Sequence, residues 1–490
     1  MFLNRGVLGN DGNLYLSYSN NLGPAGATQG SIWRYTLPTQ FTPIGTWKDI
    51  TPIPSFNFNS HSIGYGSVTI DPERPGVIMA TTLDLYYLHD DIFRSLDGGN
   101  SWFDLGANQA RDSSLSPWLN FGQSSAPIGN WLVSIVIDPY DSNHVLYGTG
   151  QTIWETANAT AADATSTSPG TTVAGVSPTS WKVGANGLEE TVVLDLISPP
   201  AGASVLSAVR DIGGFTHTDL HSSPAQGMQK TPIFTDTTSL DFAQNAPGII
   251  VRVGMGSSTQ QYGAYSGDGG NSWTPFHSQA GSLAGGGSIA VSSNGATFVW
   301  APSDTAVAYS SDGGTTWNPS FGAPSKLKVI ADRVNPKKFY MYSPTAGILY
   351  GTLDGGANFA PLASNLPLKS VLRASFAAEG DLWLATPTGL LHSRDSGVTF
   401  SAVANTQEAY DVSFGKAAPN AGYPAIYMYG RLSGVQGIFR SVDSAATWVT
   451  VTDPTHQYGD INVIAADPKV FGRIYLGTSG RGVIYGDSLP

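Results

Sequence analysis

Short runs of alternating or continuous apolar residues, each followed by a turn rich in Asp, Asn, Gly or Pro, recur along the whole chain. At residues 68–80, 135–147 and 464–476, an Asp-Pro turn separates two such runs. Strands of this length joined by tight turns are typical of all-β proteins. The 58 glycines and an aromatic content of 11% favour the same class, and only 12% of residues are charged. The pattern therefore predicts an all-β fold without long amphipathic helices.

A second pattern returns in step with the strands: Ser or Thr, any residue, Asp, any residue, Gly, any residue, Ser or Thr, and an aromatic residue. Full copies centre on Asp97, Asp268, Asp312 and Asp395, and degraded copies centre on Asp354 and Asp443. From Asp268 onward these aspartates are 44, 42, 41 and 48 residues apart, the length of one four-stranded propeller blade. Such a turn is an Asp box, whose carboxylate accepts hydrogen bonds from turn amides while the aromatic residue packs beneath. The repeat predicts a β-propeller, with a structural role for these aspartates rather than calcium binding.

The repeat is interrupted at residues 156–180, a stretch rich in Ala, Thr, Ser, Gly and Pro that we interpret as a flexible loop. Counted back from the C-terminus at about 45 residues per blade, seven blades fill residues 179–490. Residues 1–178 have room for about three blades, too few to close a ring. We expect one complete seven-bladed propeller at 179–490, preceded by part of a second one at 1–178. The first residues lack a signal-peptide pattern, and we expect a chain that is incomplete at its N-terminus.

Composition narrows the choice of partner. The formal net charge of −12 disfavours nucleic acid and anionic membrane surfaces, whereas a neutral polysaccharide is compatible with it. The absence of cysteine excludes disulfides and thiolate chemistry. His61, His217 and His221 are too scattered to predict a metal site, and no phosphate-binding loop or serine nucleophile motif occurs. We expect no metal, no cofactor, no membrane span and a monomer.

Asp211 is the strongest candidate for chemistry. It follows an apolar run at residues 205–209 and precedes two glycines and the aromatic residue Phe215. An aspartate in this position is expected at a strand end with its carboxylate toward a cleft. Hydrolysis of a polysaccharide needs such a carboxylate.

The segments at 189–191, 194–200 and 211–215 resemble the second-domain active-site segment of family 74 glycoside hydrolases. Residues 6–18, 138–150 and 480–486 are also similar to that family, so the resemblance covers essentially the whole chain. It implies two tandem seven-bladed propellers with an open cleft between them. It also implies an extracellular enzyme that cuts the β-1,4-glucan backbone of xyloglucan with inversion, in an endo or a chain-end mode.

Inversion needs two carboxyl groups, roughly 6.5 to 9.5 Å apart. The resemblance makes Asp211 one of them, and we favour the general acid for it, with Phe215 and His217 carried over as substrate-binding neighbours. The family's other catalytic aspartate lies near the start of its first propeller, in an Arg-Thr-Asp-Ile-Gly-Gly-Ala-Tyr type of motif that this sequence does not contain. We therefore expect about four blades to be missing and the isolated chain to be inactive or nearly so.

Aromatic side chains are further candidates, because sugar rings stack on Tyr and Trp. The candidates are Tyr86, Tyr87, Trp118 and Trp131. Tyr86 and Tyr87 stand where the family often carries an adjacent aromatic pair facing the cleft. Packing in the protein core is the competing interpretation for all of these, and for Phe215 and His217.

Two other functional classes of protein are compatible with an Asp-box propeller. A non-catalytic module that binds glycan or protein would leave Asp211 buried and hydrogen-bonded instead of placing it in an aromatic-lined groove. A sialidase would need an arginine triad and a Tyr-Glu pair, and no triad is evident in the sequence. Residues 158–160 fit an N-glycosylation acceptor, consistent with an extracellular location.

Overall fold

The computed structural model describes residues 1–23, 26–52, 63–83, 90–106, 109–163, 172–174, 178–187, 190–257, 259–282, 284–452 and 458–487. None of these residues lies in an α-helix, and the two 3-10 helices among them are Pro117–Asn120 and Ala159–Ala162. No helix in these ranges is long and apolar enough to cross a membrane. The predicted all-β class is confirmed. The chain divides into two compact units, Met1–Glu190 and Thr191–Pro490.

The first unit contains three sheets within its described ranges. The first is antiparallel, with strands β1 (Phe2–Leu8), β2 (Asn13–Ser19), β3 (Gly30–Thr36) and β4 (Thr46–Asp49). The second joins β5 (Gly64–Ile70), β6 (Ile78–Leu83), β7 (Ile92–Ser95) and β8 (Trp102–Asp104). The third contains β9 (Gln109–Asp112), β10 (Ser134–Asp138), β11 (Asp141–Gly148) and β12 (Ile153–Thr156).

Two later strands complete these sheets. Strand β13 (Thr172–Ala174) pairs in parallel with β8, and β14 (Thr179–Val183) lies between β12 and β9. The pairing of β14 keeps residues 179–183 in the first unit. The observed division therefore follows residue 190, twelve residues later than the division that we expected after residue 178.

The second unit begins with one sheet of seven strands. They are β15 (Val193–Ile197), β16 (Val205–Val209), β17 (Gly213–His217), β18 (Asp236–Ala243), β19 (Ala246–Met255), β20 (Gly263–Ser266) and β21 (Thr274–Pro275). This sheet consists of two antiparallel groups, β15–β17 and β18–β21, which a single parallel pair between Gly213 and Asp236 connects. The first group therefore has the character of a separate three-stranded sheet.

Four antiparallel sheets of four strands follow, and a three-stranded sheet ends the unit. Their strands are β22 (Ser288–Val291), β23 (Phe298–Ala301), β24 (Ala308–Ser310), β25 (Asn318–Pro319); β26 (Val329–Ala331), β27 (Phe339–Ser343), β28 (Ile348–Thr352), β29 (Ala360–Ala363); β30 (Val371–Ala374), β31 (Leu382–Thr386), β32 (Gly389–Ser393), β33 (Ser401–Ala402); β34 (Glu408–Gly415), β35 (Ala425–Leu432), β36 (Val435–Ser441), β37 (Val449–Thr450); and β38 (Ile461–Ala466), β39 (Ile474–Thr478), β40 (Val483–Gly486).

Within its described residues, the second unit thus contains seven groups of strands: β15–β17, β18–β21, the four sheets of four strands, and β38–β40. The first strand of each group contacts the first strand of the next group, and the succession closes on itself. The order is β15, β18, β22, β26, β30, β34, β38 and then β15 again. An apolar cluster fills the closing junction between the first and last groups, and it consists of Val193, Leu196, Val205, Val463, Ala465 and Tyr475. Polar contacts reinforce the junction, since Asn462 Nδ2 donates to Val193 O at 3.0 Å and Lys469 Nζ donates to Pro199 O at 2.9 Å.

Ion pairs connect segments of the second unit that are far apart in sequence. Lys328 Nζ lies 3.3 Å from Asp195, Arg333 lies 2.8 Å from Asp241, and Arg373 lies 2.9 Å from Asp411. The three aspartates are buried on β15, β18 and β34, the innermost strands. A buried carboxylate needs such a partner. Arg373 on β30 links to the neighbouring strand β34, whereas Lys328 and Arg333, which flank β26, reach the non-adjacent strands β15 and β18.

The turns at the repeated aspartates share one hydrogen-bond arrangement. At Asp268, one carboxylate oxygen accepts the Ser272 amide at 2.9 Å and the other accepts the Ser272 hydroxyl at 2.6 Å. The buried Ser266 hydroxyl donates to Asp268 at 2.7 Å and accepts the Gly270 amide at 2.8 Å. The same contacts recur around Asp97, Asp312, Asp354, Asp395 and Asp443. These local bonds give the aspartates a structural explanation.

We predict that Ser310→Ala destabilises the second unit by about 1–3 kcal/mol, because it removes the acceptor of the buried Gly314 amide and one of the donors to Asp312. The Ser310 hydroxyl is fully buried, accepts the Gly314 amide at 2.9 Å and donates to Asp312 at 2.8 Å. Thr315→Ala, in the same turn but exposed, should change the urea midpoint little. Equal midpoint shifts for the two variants would contradict a structural role for the buried serine.

Candidate active site

Asp211 lies in the turn that joins β16 to β17. The two strands pair antiparallel from Val205–His217 to Val209–Gly213, so the turn stands at one end of the first group of the second unit. Asp211 is exposed and adopts a left-handed conformation, with φ +69°. The sequence expectation of a carboxylate at a strand end agrees with this position.

The two glycines after Asp211 meet separate steric demands. Gly213 has φ +74°, a conformation that side chains rarely adopt. At Gly214 a Cβ atom would lie 2.1 Å from the carbonyl oxygen of Ser207 on β16. Only glycine therefore allows the two strands to approach closely enough to form this hairpin.

Asp236, the first residue of β18, contacts the turn from outside the hairpin. The Asp211 backbone N–H donates to Asp236 Oδ1 at 2.9 Å. Partial burial raises the pKa of the Asp211 carboxyl, the negative charge of Asp236 raises it further, and Arg210 opposes the shift. The arrangement favours the protonated form of Asp211, which is the form that a general acid needs. Sequence reasoning missed Asp236, because it lies 25 residues downstream of Asp211.

Phe215 and His217 lie on β17 and point to the same side of the strand, because alternate residues share a face. Phe215 exposes only 5% of its surface, and its ring centre lies 5.8 Å from that of His217. His217 Nε2 lies 3.1 Å from the Ser207 hydroxyl, and burial lowers the pKa of His217 to about 4. The imidazole is therefore neutral near pH 6. Both side chains support the hairpin, and substrate contact through them stays a prediction.

The aromatic candidates of the first unit have different environments. Trp118 belongs to the 3-10 helix Pro117–Asn120, exposes 1% of its surface and packs edge-on against Phe121 at 6.4 Å. Such burial is what a core tryptophan shows, so the structure gives no support to substrate contact at Trp118. Tyr86 and Tyr87 lie outside the described residues.

Trp131 is partly exposed and has φ +64°. Its backbone N–H donates to Asp90 Oδ2 at 2.6 Å, and Asp90 Oδ1 accepts the Thr82 hydroxyl at 2.8 Å. Asp90 thus fixes the backbone of Trp131 in a conformation that is uncommon for a bulky residue. Of the two tryptophans, Trp131 is the one with surface available to a ligand.

Three carboxylates at the open end of the β7–β8 hairpin are buried, which was not expected from the sequence. Asp90, Asp91 and Asp104 each expose 2% of their surface or less. Burial raises the pKa of Asp91 well above its usual range, and the charge of Asp104 adds to the effect. The only sequence signal is the adjacent Asp90-Asp91 pair before β7. Within the described ranges, no group of three or more His, Cys, Asp or Glu side chains is placed to hold a metal ion.

Several curated proteins that resemble this chain are xyloglucanases. No family model matches the chain. A xyloglucanase from Paenibacillus sp. is 40% identical over 98% of this chain and 48% of its own length. An oligoxyloglucan-reducing end-specific xyloglucanase from Emericella nidulans is 32% identical over 99% of this chain and 67% of its own length. The chain thus spans between about half and two thirds of these relatives.

A solved structure agrees with the sequence comparison. The crystal structure of the GH74 xyloglucanase from Xanthomonas campestris superimposes with a TM-score of 0.86 and 34% sequence identity. The superposition covers 99% of this chain and 67% of that chain.

We predict that Asp211→Asn stabilises the protein at pH 7 and that the gain shrinks toward pH 4. The folded state raises the pKa of this carboxyl, so the stability that Asp211 contributes is present at low pH and is lost as the pH rises through the folded pKa. Asparagine also tolerates the left-handed backbone. The measurement is the urea midpoint of both proteins at the two pH values.

Asp219→Asn is the matched control, and it should change the stability at pH 7 in the opposite direction to Asp211→Asn. The His221 amide and the Ser222 hydroxyl donate to Asp219 at 2.9 and 2.8 Å, and these bonds lower the pKa of its carboxyl. The variant should be less stable than the parent at pH 7. A loss of stability in Asp211→Asn at pH 7 would mean that the Asp211 carboxylate makes a stabilising contact, contrary to this account.

Proposed function

The chain belongs to the xyloglucanases of glycoside hydrolase family 74, and we propose that it supplies half of an active site that cleaves the glucan backbone of xyloglucan. Its relatives are xyloglucanases at 32 to 40% identity across nearly all of its residues. The substrate we propose is the neutral, xylose-decorated β-1,4-glucan, which suits a chain with a net charge of −12. We propose an extracellular location and a monomeric state.

The architecture we propose is that of the family. Residues 191–490 form one complete seven-bladed propeller, and residues 1–190 form about three blades of another. The support is the closed succession of seven innermost strands in the second unit and the Asp-centred turns between successive strands. In an open arrangement of sheets, β38 would have no reason to contact β15.

The reaction we propose is a single displacement with inversion. Asp211 donates its proton to the glycosidic oxygen as the bond to the anomeric carbon breaks. A second carboxylate removes a proton from the water that attacks the opposite face of the sugar ring. The observation that carries this assignment is the position of Asp211, an exposed carboxyl in the turn at a strand end, whose backbone is held by Asp236. The raised pKa of this carboxyl supports the assignment, because it favours the protonated form.

The second carboxylate, in our proposal, comes from the part of the family architecture that this chain does not cover. Around Asp211, Phe215 and His217 hold the hairpin and border the bound sugar. Trp131, Tyr86 and Tyr87 supply stacking surfaces in other subsites, and of these Trp131 has the support of its partial exposure. Trp118 and Phe215 have less support, because both are buried.

The test is reducing-sugar release from xyloglucan by two proteins. One is the 490-residue chain, and the other is this chain joined to the portion of the Xanthomonas campestris xyloglucanase that it does not match, called the joined protein below. We predict that only the joined protein cleaves xyloglucan. Asp211→Asn should lower its rate by about 10²–10⁴, the contribution typical of general acid catalysis.

Asp219→Asn is the control for the rate measurement, since Asp219 is an exposed aspartate that follows the same hairpin. It should leave the rate within about twofold of the parent. Robust turnover by the 490-residue chain alone would place both carboxylates within it. Binding of xyloglucan without cleavage by either protein would favour a non-catalytic recognition module instead.

A further inference from the structure

The turn that carries Asp211 is held by a short segment at the start of β18. Gly213 N donates to Thr235 O at 3.1 Å, and Asp211 N donates to Asp236 Oδ1 at 2.9 Å. The segment is anchored in turn, because Thr235 N donates to Met255 O at 3.0 Å and Asp236 pairs with Met255 on β19. The Asp236 carboxylate is therefore presented to the turn from a fixed strand.

A tether of this kind has a physical reason. The left-handed conformation of Asp211 is less favourable than a right-handed or extended one for a residue other than glycine. A hydrogen bond to a charged acceptor is stronger than one between neutral groups, so the bond to Asp236 offsets that cost. The bond is made by the backbone of Asp211, so it fixes the turn and leaves the Asp211 carboxyl free to face a substrate.

We infer that Asp236 is the positioning residue for Asp211: its carboxylate holds the turn, and its negative charge sets the pH range in which Asp211 donates a proton. This inference rests on the proposed role of Asp211 as the general acid. Asp236 itself acts through Asp211 and has no step of its own in the reaction.

Two charged groups act on the Asp211 carboxyl in the described part of the chain. Asp236 on β18 disfavours ionisation of Asp211, and Arg210 in the turn itself favours it. Arg210 is exposed, and its backbone N–H donates to Val192 O at 2.9 Å independently of its side chain. The two side chains can therefore be changed separately, and they should move the pH dependence in opposite directions.

The experiment is the pH profile of xyloglucan cleavage by the joined protein. Asp236→Asn keeps an oxygen that can accept the Asp211 amide but removes the charge, so the pKa of Asp211 should fall. The alkaline limb of the profile should move to lower pH, and the ratio of the rate at pH 7 to that at pH 5 should drop on the order of threefold. Arg210→Gln should move the same limb to higher pH.

Asp236→Ala removes the acceptor as well as the charge. It should lower the maximal rate on the order of tenfold, because the turn is no longer held, and Asp236→Asn should restore most of that loss. A purely structural role would give a rate loss in Asp236→Ala without any shift of the limb in Asp236→Asn. An unshifted limb in Asp236→Asn therefore overturns the inference.

A stability measurement, which does not depend on catalysis, tests this inference separately from the proposed function. In the 490-residue chain, the stability gained at pH 7 through Asp211→Asn should be markedly smaller when Asp236 is already Asn, because the charge that opposes ionisation is gone. If the joined protein fails to cleave xyloglucan but this coupling is found, the proposed function fails while the electrostatic pairing stands. Equal gains with Asp236 and with Asn at this position would contradict the pairing itself.

Discussion

Each sheet in the second unit depends on burial of its faces against the sheets on either side. The apolar clusters are made of residues from successive groups, as where Val251 and Val253 on β19 pack with Ile289 and Trp300 of the next sheet. A row of such sheets would end in two exposed apolar faces. The contact of β38 with β15, and the cluster around Val193 and Tyr475, remove both of them. The closing junction is thus the constraint on which the other sheets rely.

The candidate active site depends on the same junction. Asp211 stands on the hairpin β16–β17, and the neighbouring strand β15 packs against β38 on one side and β18 on the other. The hairpin is therefore clamped between the last group and the second one. That support allows a left-handed aspartate and a carboxyl with a raised pKa to persist at an exposed turn. Stability comes from the closed succession of sheets, and chemistry is placed at its strand ends.

Features set by neighbours in sequence could be predicted, and features set by distant pairing could not. The Asp-centred turns follow from contacts within four residues, and the strand end at Asp211 follows from the Gly-Gly pair beside it. Asp236 was missed because only the fold brings it to Asp211. The division of the chain after residue 190 could not be read from the sequence, because β14 pairs with β9, some 70 residues upstream. Likewise, the sequence does not reveal that Trp118 is buried or that Lys328 pairs with Asp195.

The measurement that tests the account most directly compares two leaving groups in the joined protein. Natural xyloglucan needs a proton on the departing oxygen, whereas a 2,4-dinitrophenyl β-glycoside of a xyloglucan oligosaccharide departs without one. If Asp211 is the general acid, Asp211→Asn should lose turnover of xyloglucan and keep most of its turnover of the dinitrophenyl glycoside. Equal loss on both substrates would contradict the account and assign Asp211 to activation of water instead.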